Sequence, residues 1–125
     1  MLMKTILVVD DEKAVTDIVK KLLSDRYTVI TENDGKRALA TIESTDIDLI
    51  ISDMIMPDVD GIALISFLKK TGKRIPVLIM SGDPIGRKFL EAASILGATE
   101  RLTKPFTRQE LLQGVEKALQ SRESE

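Results

Sequence analysis

Three short, unbroken apolar runs constrain this chain more than any other feature: Ile6-Leu7-Val8-Val9, Leu49-Ile50-Ile51 and Val77-Leu78-Ile79-Met80. A strand with one wet face alternates apolar and polar residues, whereas a run that is apolar throughout must be covered on both faces, as in a parallel sheet. Two weaker strands are predicted beside them. Tyr27 to Thr31 alternates and is rich in β-branched residues, and Ala98 to Thr103 lies between Gly97 and a Lys104-Pro105 stop.

Helical spacing fills the intervals. Val15, Ile18, Val19 and Leu22 predict one helix, Ala38, Leu39 and Ile42 a second, and Ile62, Ile65 and Leu68 a third. Phe89, Ala92, Ala93 and Leu96 predict a fourth, and Leu111, Leu112, Val115 and Leu119 a fifth. Asn33-Asp34-Gly35 has the composition of a hairpin turn, but the residues after it recur at helical spacing, so it is read as a strand-to-helix loop. Five strand–helix units in succession predict an α/β fold, a parallel sheet with right-handed crossovers and helices on both faces. The ligand crevice of such a sheet lies at the carboxyl ends of its strands.

At 125 residues the chain has the size of one domain and needs no disulfide or structural metal to bury a core. Its 43% apolar and 30% charged residues are those of a globular protein. No apolar run reaches the length of a membrane span, and Met1 to Lys4 lead into the first strand without a signal peptide, so a cytoplasmic location is expected. A net charge of −2 with scattered basic residues argues against nucleic acid binding by this segment. There is neither cysteine nor histidine. That excludes thiolate and imidazole chemistry, and any metal must be held by oxygen.

Polar residues stand at four of the five predicted strand ends: Asp10 and Asp11 after the first, Asp53 after the third, Ser81 after the fourth and Lys104 after the fifth. Taken singly, Asp10-Asp11 reads equally well as a helix cap, Ser81-Gly82 as a turn and Lys104-Pro105 as a strand terminator. Together they share one edge of the sheet. Three carboxylates converging on one crevice repel each other unless a cation joins them, and an oxygen-only donor set suits Mg²⁺, with Mn²⁺ as a substitute. One carboxylate is then available to attack a phosphoryl donor, with Asp53 the best candidate, while the Lys104 ammonium and the Ser81 hydroxyl bind phosphoryl oxygens.

Val8-Val9-Asp10-Asp11-Glu12, Ile51-Ser52-Asp53-Met54-Ile55-Met56-Pro57, Gly61, Met80-Ser81-Gly82 and Leu102-Thr103-Lys104-Pro105-Phe106 resemble, end to end and in order, the receiver domain of two-component response regulators, in the CheY-like superfamily. The resemblance implies a flavodoxin-like (βα)5 fold with strand order 2-1-3-4-5, a receiver domain over residues 1–120 and a frayed tail or truncated linker at 121–125. It makes Asp53 the phosphoacceptor and Asp10 and Asp11 the acidic pair at the Mg²⁺. Ile55 becomes a ligand through its backbone carbonyl, and Ser81 and Lys104 the switch hydroxyl and lysine. Pro57 and Gly61 match the loop after the acceptor and are assigned structure only. The implied partner is a phosphohistidine on a histidine kinase or histidine phosphotransfer protein, which suits a chain without histidine. Downstream, the resemblance implies a protein target or a missing output domain, reached through the face of the fourth helix, fifth strand and fifth helix, which is also the expected place for a homodimer. Such a domain is a phosphoacceptor that assists its own phosphorylation and dephosphorylation, not an enzyme acting on other molecules.

Two positions depart from the family pattern. Where members usually carry Tyr or Phe three residues before the lysine, this chain has Arg101, which is expected to stay near the surface and contribute to partner contact. Ile55 is apolar where some relatives carry a side chain that orients the hydrolytic water, and Asp83 lies near the same rim, so a long-lived phosphoryl group is expected.

Other readings fit less well. Gly82 to Lys88 lacks the spacing and the Lys-Ser/Thr ending of a nucleotide-binding loop. Met54, Met56 and Met80 fit core packing better than a soft-metal site. A haloacid-dehalogenase-like phosphatase needs a second aspartate where Ile55 stands. The remaining alternative is a receiver-like docking or dimerisation module that works without phosphorylation.

Overall fold

The computed structural model of the protein describes residues 2–82 and 97–123. Five strands form one parallel sheet: β1 (Thr5–Val9), β2 (Thr28–Glu32), β3 (Leu49–Asp53), β4 (Val77–Ser81) and β5 (Glu100–Thr103), in the order β2-β1-β3-β4-β5. This is the flavodoxin-like order. Four helices are described: α1 (Lys13–Leu23), α2 (Gly35–Ser44), α3 (Gly61–Thr71) and α4 (Arg108–Glu123). The helical stretch predicted around Phe89 to Leu96, the Gly82 to Lys88 loop beyond Gly82, and Asp83 lie outside the described residues.

Successive side chains of a strand point to opposite faces, so the continuous apolar runs split into two cores. Leu7, Val9, Ile50, Val77 and Ile79 pack with Ala38 and Ile42 of α2 and with Leu64, Ile65 and Leu68 of α3. Ile6, Val8, Leu49, Ile51, Leu78 and Met80 pack with Val19 and Leu23 of α1 and with Leu111, Val115 and Ala118 of α4. Met54 and Met56 lie in the first core and Met80 in the second, the packing role expected of them.

Local chemistry sets the helix ends. Asp34 caps α2, its carboxylate accepting from the Lys36 N–H at 2.7 Å, and Asp60 caps α3 by accepting from Ala63 at 2.8 Å. Before α4, Thr107 and Glu110 form a reciprocal capping box, the Glu110 N–H donating to the Thr107 hydroxyl at 3.1 Å and the Thr107 N–H to the Glu110 carboxylate at 3.0 Å. Gly72 closes α3 at φ 73, a left-handed conformation that suits glycine. The Lys104–Pro105 peptide is cis.

Two details differ from the sequence expectation. Ile18, placed on the apolar stripe of α1, is 57% exposed, because the buried face runs through Thr16, Val19 and Leu23, which lie about 100° to 160° away around the helix. The last helix also continues through Ser121, Arg122 and Glu123, into the stretch expected to be a tail.

Candidate functional site

The sheet order reverses direction at β1, which has β2 on one side and β3 on the other. A crevice opens at such a switch point, outside the carboxyl ends of the strands. Register fills it with polar groups. Val9 pairs with Ser52, Asp53 with Met80 and Ser81 with Thr103, so Asp10, Asp53, Ser81 and Lys104 follow or end strands that stop together.

Asp10, Asp11 and Asp53 each offer one carboxylate oxygen within 4.8 Å of the others. Asp10 is fully buried. Its Oδ1 accepts from the Glu12 N–H at 2.9 Å, and its backbone N–H donates to the Glu32 carbonyl at 3.2 Å. Lys104 completes the group from the far side of the sheet, its Nζ 2.9 Å from Asp10 Oδ2 and 3.2 Å from Asp53 Oδ1. The backbone holds this lysine as well, since its N–H donates to the Ser81 carbonyl at 2.8 Å.

These groups surround an open cavity of about 300 Å³ lined by Asp11, Glu12, Asp53, Ile55, Ser81, Gly82 and Lys104. Ser81 is buried within its wall, while Ile55 stands half exposed at the rim. Five of the six residues expected at the site line the cavity, and the sixth, Asp10, lies beneath it in contact with Lys104. Glu12 and Gly82 also line it without having been given a role from sequence; both adjoin predicted site residues, the signal that marks them.

The electrostatics are those of a site short of positive charge. Burial, followed by the charge of Asp10, pushes the Asp53 carboxyl above its ordinary value, and Lys104 together with the Met54 N–H only partly opposes this. Burial would lower the Lys104 ammonium, but its hydrogen bond to Asp10 and the charges of Asp53 and Asp10 outweigh that and hold it above the ordinary lysine value. One lysine shared by two carboxylates does not neutralise both, and Asp11 adds a third negative charge. An all-oxygen donor set with a net deficit of cation fits a hard divalent ion such as Mg²⁺.

The loop after Asp53 is shaped to reach α3 in few residues. Gly61 donates its N–H to the Met54 carbonyl at 3.1 Å, and a Cβ on Gly61 would meet Asp53 O at 3.1 Å and Ile79 Cδ1 at 2.9 Å. A side chain here would press on both, so glycine eases the close start of α3 beside the end of β3.

The family model of the response regulator receiver domain matches residues 6–116. The chain belongs to the response regulator receiver domain family. Among curated relatives, the response regulator MprA of Mycobacterium ulcerans is 38% identical over 109 residues, which make up 86% of this chain and 46% of that protein. The receiver chain thus spans about half the length of the curated relatives it matches. Among solved structures, the receiver domain of NtrX from Brucella abortus is 34% identical with a TM-score of 0.87, covering 93% of this chain and 98% of that one. Chemotaxis protein CheY4 of Vibrio cholerae is 32% identical with a TM-score of 0.84, covering 94% of this chain and 99% of that one. Membership in the receiver family places the chain in two-component signalling. Among the described residues no helix is long and apolar enough to cross a membrane.

Proposed function

We propose that this receiver domain, residues 1–120, accepts a phosphoryl group on Asp53 from the phosphohistidine of a histidine kinase or histidine phosphotransfer protein, and does so in the cytoplasm. The observation that carries this is the convergence of Asp10, Asp11 and Asp53 within 4.8 Å, with Lys104 bridging two of them.

Asp53 attacks the phosphorus through a carboxylate oxygen; the P–N bond to the donor imidazole breaks as the acyl phosphate P–O bond forms, and the imidazole leaves with the electron pair. Asp10 and Asp11, with Asp53 and the Ile55 carbonyl, would hold Mg²⁺ or Mn²⁺. When bound, the ion supplies neutralisation of the clustered carboxylates and of the incoming phosphoryl oxygens. Lys104 already lies against Asp53 Oδ1, so its ammonium is poised to follow the charge onto the phosphoryl group. Ser81, in the cavity wall, offers a hydroxyl donor to the same oxygens.

Phosphorylation adds roughly 1.5 to 2 negative charges, by analogy with hydroxyl phosphoesters. Lys104 and Ser81 are tied through one backbone hydrogen bond, so a pull on either moves the ends of β4 and β5 together. Arg101 lies exposed on β5 three residues before this tie, which supports a readout through the β5 face to a downstream protein, an output domain or a second copy.

Incubation with Mg²⁺ and acetyl phosphate, followed by intact mass, tests the reading with Asp53→Asn as control. A gain of one phosphoryl mass that needs both Mg²⁺ and Asp53 is expected. No gain from acetyl phosphate or from a phosphorylated histidine kinase would leave the unphosphorylated docking module as the function.

A further inference from the structure

Asn33 follows β2 and does not line the acidic cavity. Its side-chain nitrogen nevertheless donates to the Asp10 carbonyl at 2.8 Å and to the Thr16 hydroxyl at 3.0 Å. Both amide hydrogens are thereby used. Thr16 is itself buried in α1 and passes its own hydrogen to the Lys13 carbonyl at 3.1 Å. One side chain thus ties the loop after β2 to the loop after β1 and to the first turn of α1.

The carbonyl that Asn33 grips belongs to the peptide joining Asp10 to Asp11. A peptide unit is planar, so fixing its oxygen fixes the plane and the direction in which the Asp11 Cα leaves it. The Asp10 carboxylate has direct anchors in the Glu12 N–H and Lys104. The Asp11 carboxylate is exposed and has no hydrogen-bond or ion-pair partner among the described residues, so among these residues only the backbone sets its place relative to Asp10.

We propose that Asn33 is a positioning residue for the divalent-ion site, setting the spacing of the Asp10 and Asp11 carboxylates by holding the peptide between them. This rests on the reading of those carboxylates as ion ligands. Asn33 touches neither the ion nor the phosphoryl group; it acts through the main chain of Asp10.

Mn²⁺ binding to the unphosphorylated protein, followed by the paramagnetic resonance of free Mn²⁺, separates the possibilities. Asn33→Ala is expected to weaken Mn²⁺ binding about ten-fold. Ala118→Gly, buried in α4 away from the site, lowers thermal stability by a helix-propensity effect and is expected to leave Mn²⁺ affinity unchanged. Thr16→Val, which keeps the side-chain shape but leaves one amide hydrogen of Asn33 unpaired, is expected to weaken binding by a smaller factor and serves if Asn33→Ala does not fold. Mn²⁺ affinity unchanged in both site variants, or lowered equally in Ala118→Gly, overturns the positioning role while the ion site stands. Absence of Mn²⁺ binding by the parent protein removes the ion-site reading and this role with it.

Discussion

Lys104 and Asp10 are 94 residues apart in sequence, yet the lysine Nζ lies 2.9 Å from an aspartate oxygen in a carboxylate with no solvent exposure. Removing one member of a buried pair leaves the other charge uncompensated, which costs about 3 kcal/mol or more. Lys104→Met is therefore expected to destabilise the metal-free protein by ~3 kcal/mol, read as a lower urea midpoint in EDTA. Because the folded state holds the ammonium above its ordinary value, this stabilisation is fully present at neutral pH and fades only as pH rises through the raised value. Equal midpoints for parent and variant would mean that the contact contributes nothing.

Asp53 titrates with the opposite consequence for stability. Its carboxyl is pushed up in the folded protein, so ionisation opposes folding, and the parent loses stability as pH rises from the ordinary aspartate value through the raised one. Asp53→Asn is expected to be more stable than the parent at neutral pH in EDTA. The difference should vanish in acid, where Asp53 is protonated in both states, and shrink when Mg²⁺ binds the parent. Thermal melts across pH check it, and a variant less stable than the parent at neutral pH contradicts it.

Gly35 opens α2 directly against the loop after Asp53. A Cβ there would stand 2.5 Å from both the Cβ and the carbonyl oxygen of Val59. Since backbone must move to admit it, Gly35→Ala is expected to cost about 2 kcal/mol. Urea denaturation measures this, and a shift below about 0.5 kcal/mol would show that the loop yields freely.

Asp58 holds a φ of 67 between Pro57 and Val59, whose N–H donates to the Pro57 carbonyl at 2.8 Å. Aspartate tolerates this conformation better than most residues, so Asp58→Gly should change stability by no more than ~0.5 kcal/mol, whereas Asp58→Val should lower it by about 1–2 kcal/mol. The two variants compared in one denaturation series test whether the turn is held as described.

Ile55 is half exposed at the rim of the cavity that Asp53 also lines. A polar side chain there can orient the hydrolytic water, and Ile55→Asn is expected to hasten loss of the phosphoryl group about ten-fold, ~1.4 kcal/mol of barrier. Decay of the phosphorylated protein in Mg²⁺ buffer gives the rate, and an unaltered half-life would sever Ile55 from the lifetime.

The strands were legible because burial on both faces leaves continuous apolar runs, and β1, β3 and β4 fall where those runs lie. Asp10, Asp53, Ser81 and Lys104 were legible as strand ends once the sheet was parallel. Their contacts were not: a lysine at the end of β5 has no sequence mark that separates a solvated side chain from one bridging Asp10 and Asp53. Asn33 is legible in the sequence only as part of a strand-to-helix loop, since the Asp10 carbonyl it binds is its neighbour only in space. Ile18 was misplaced for a related reason. A polar Thr16 occupies the core side of α1 because Asn33 and the Lys13 carbonyl satisfy its hydroxyl, a pairing that periodicity does not record.

Arg101 also bears on how the protein behaves in crowded solution. β5 is the outermost strand of the sheet, only four residues long, and Glu100 and Arg101 are half of it. A short border strand bearing opposite charges is a poor template for a neighbouring chain seeking to extend the sheet by backbone pairing. The charge that stands in place of an aromatic ring thus disfavours sheet extension at this border strand, and a hydrophobic replacement at position 101 would weaken that safeguard.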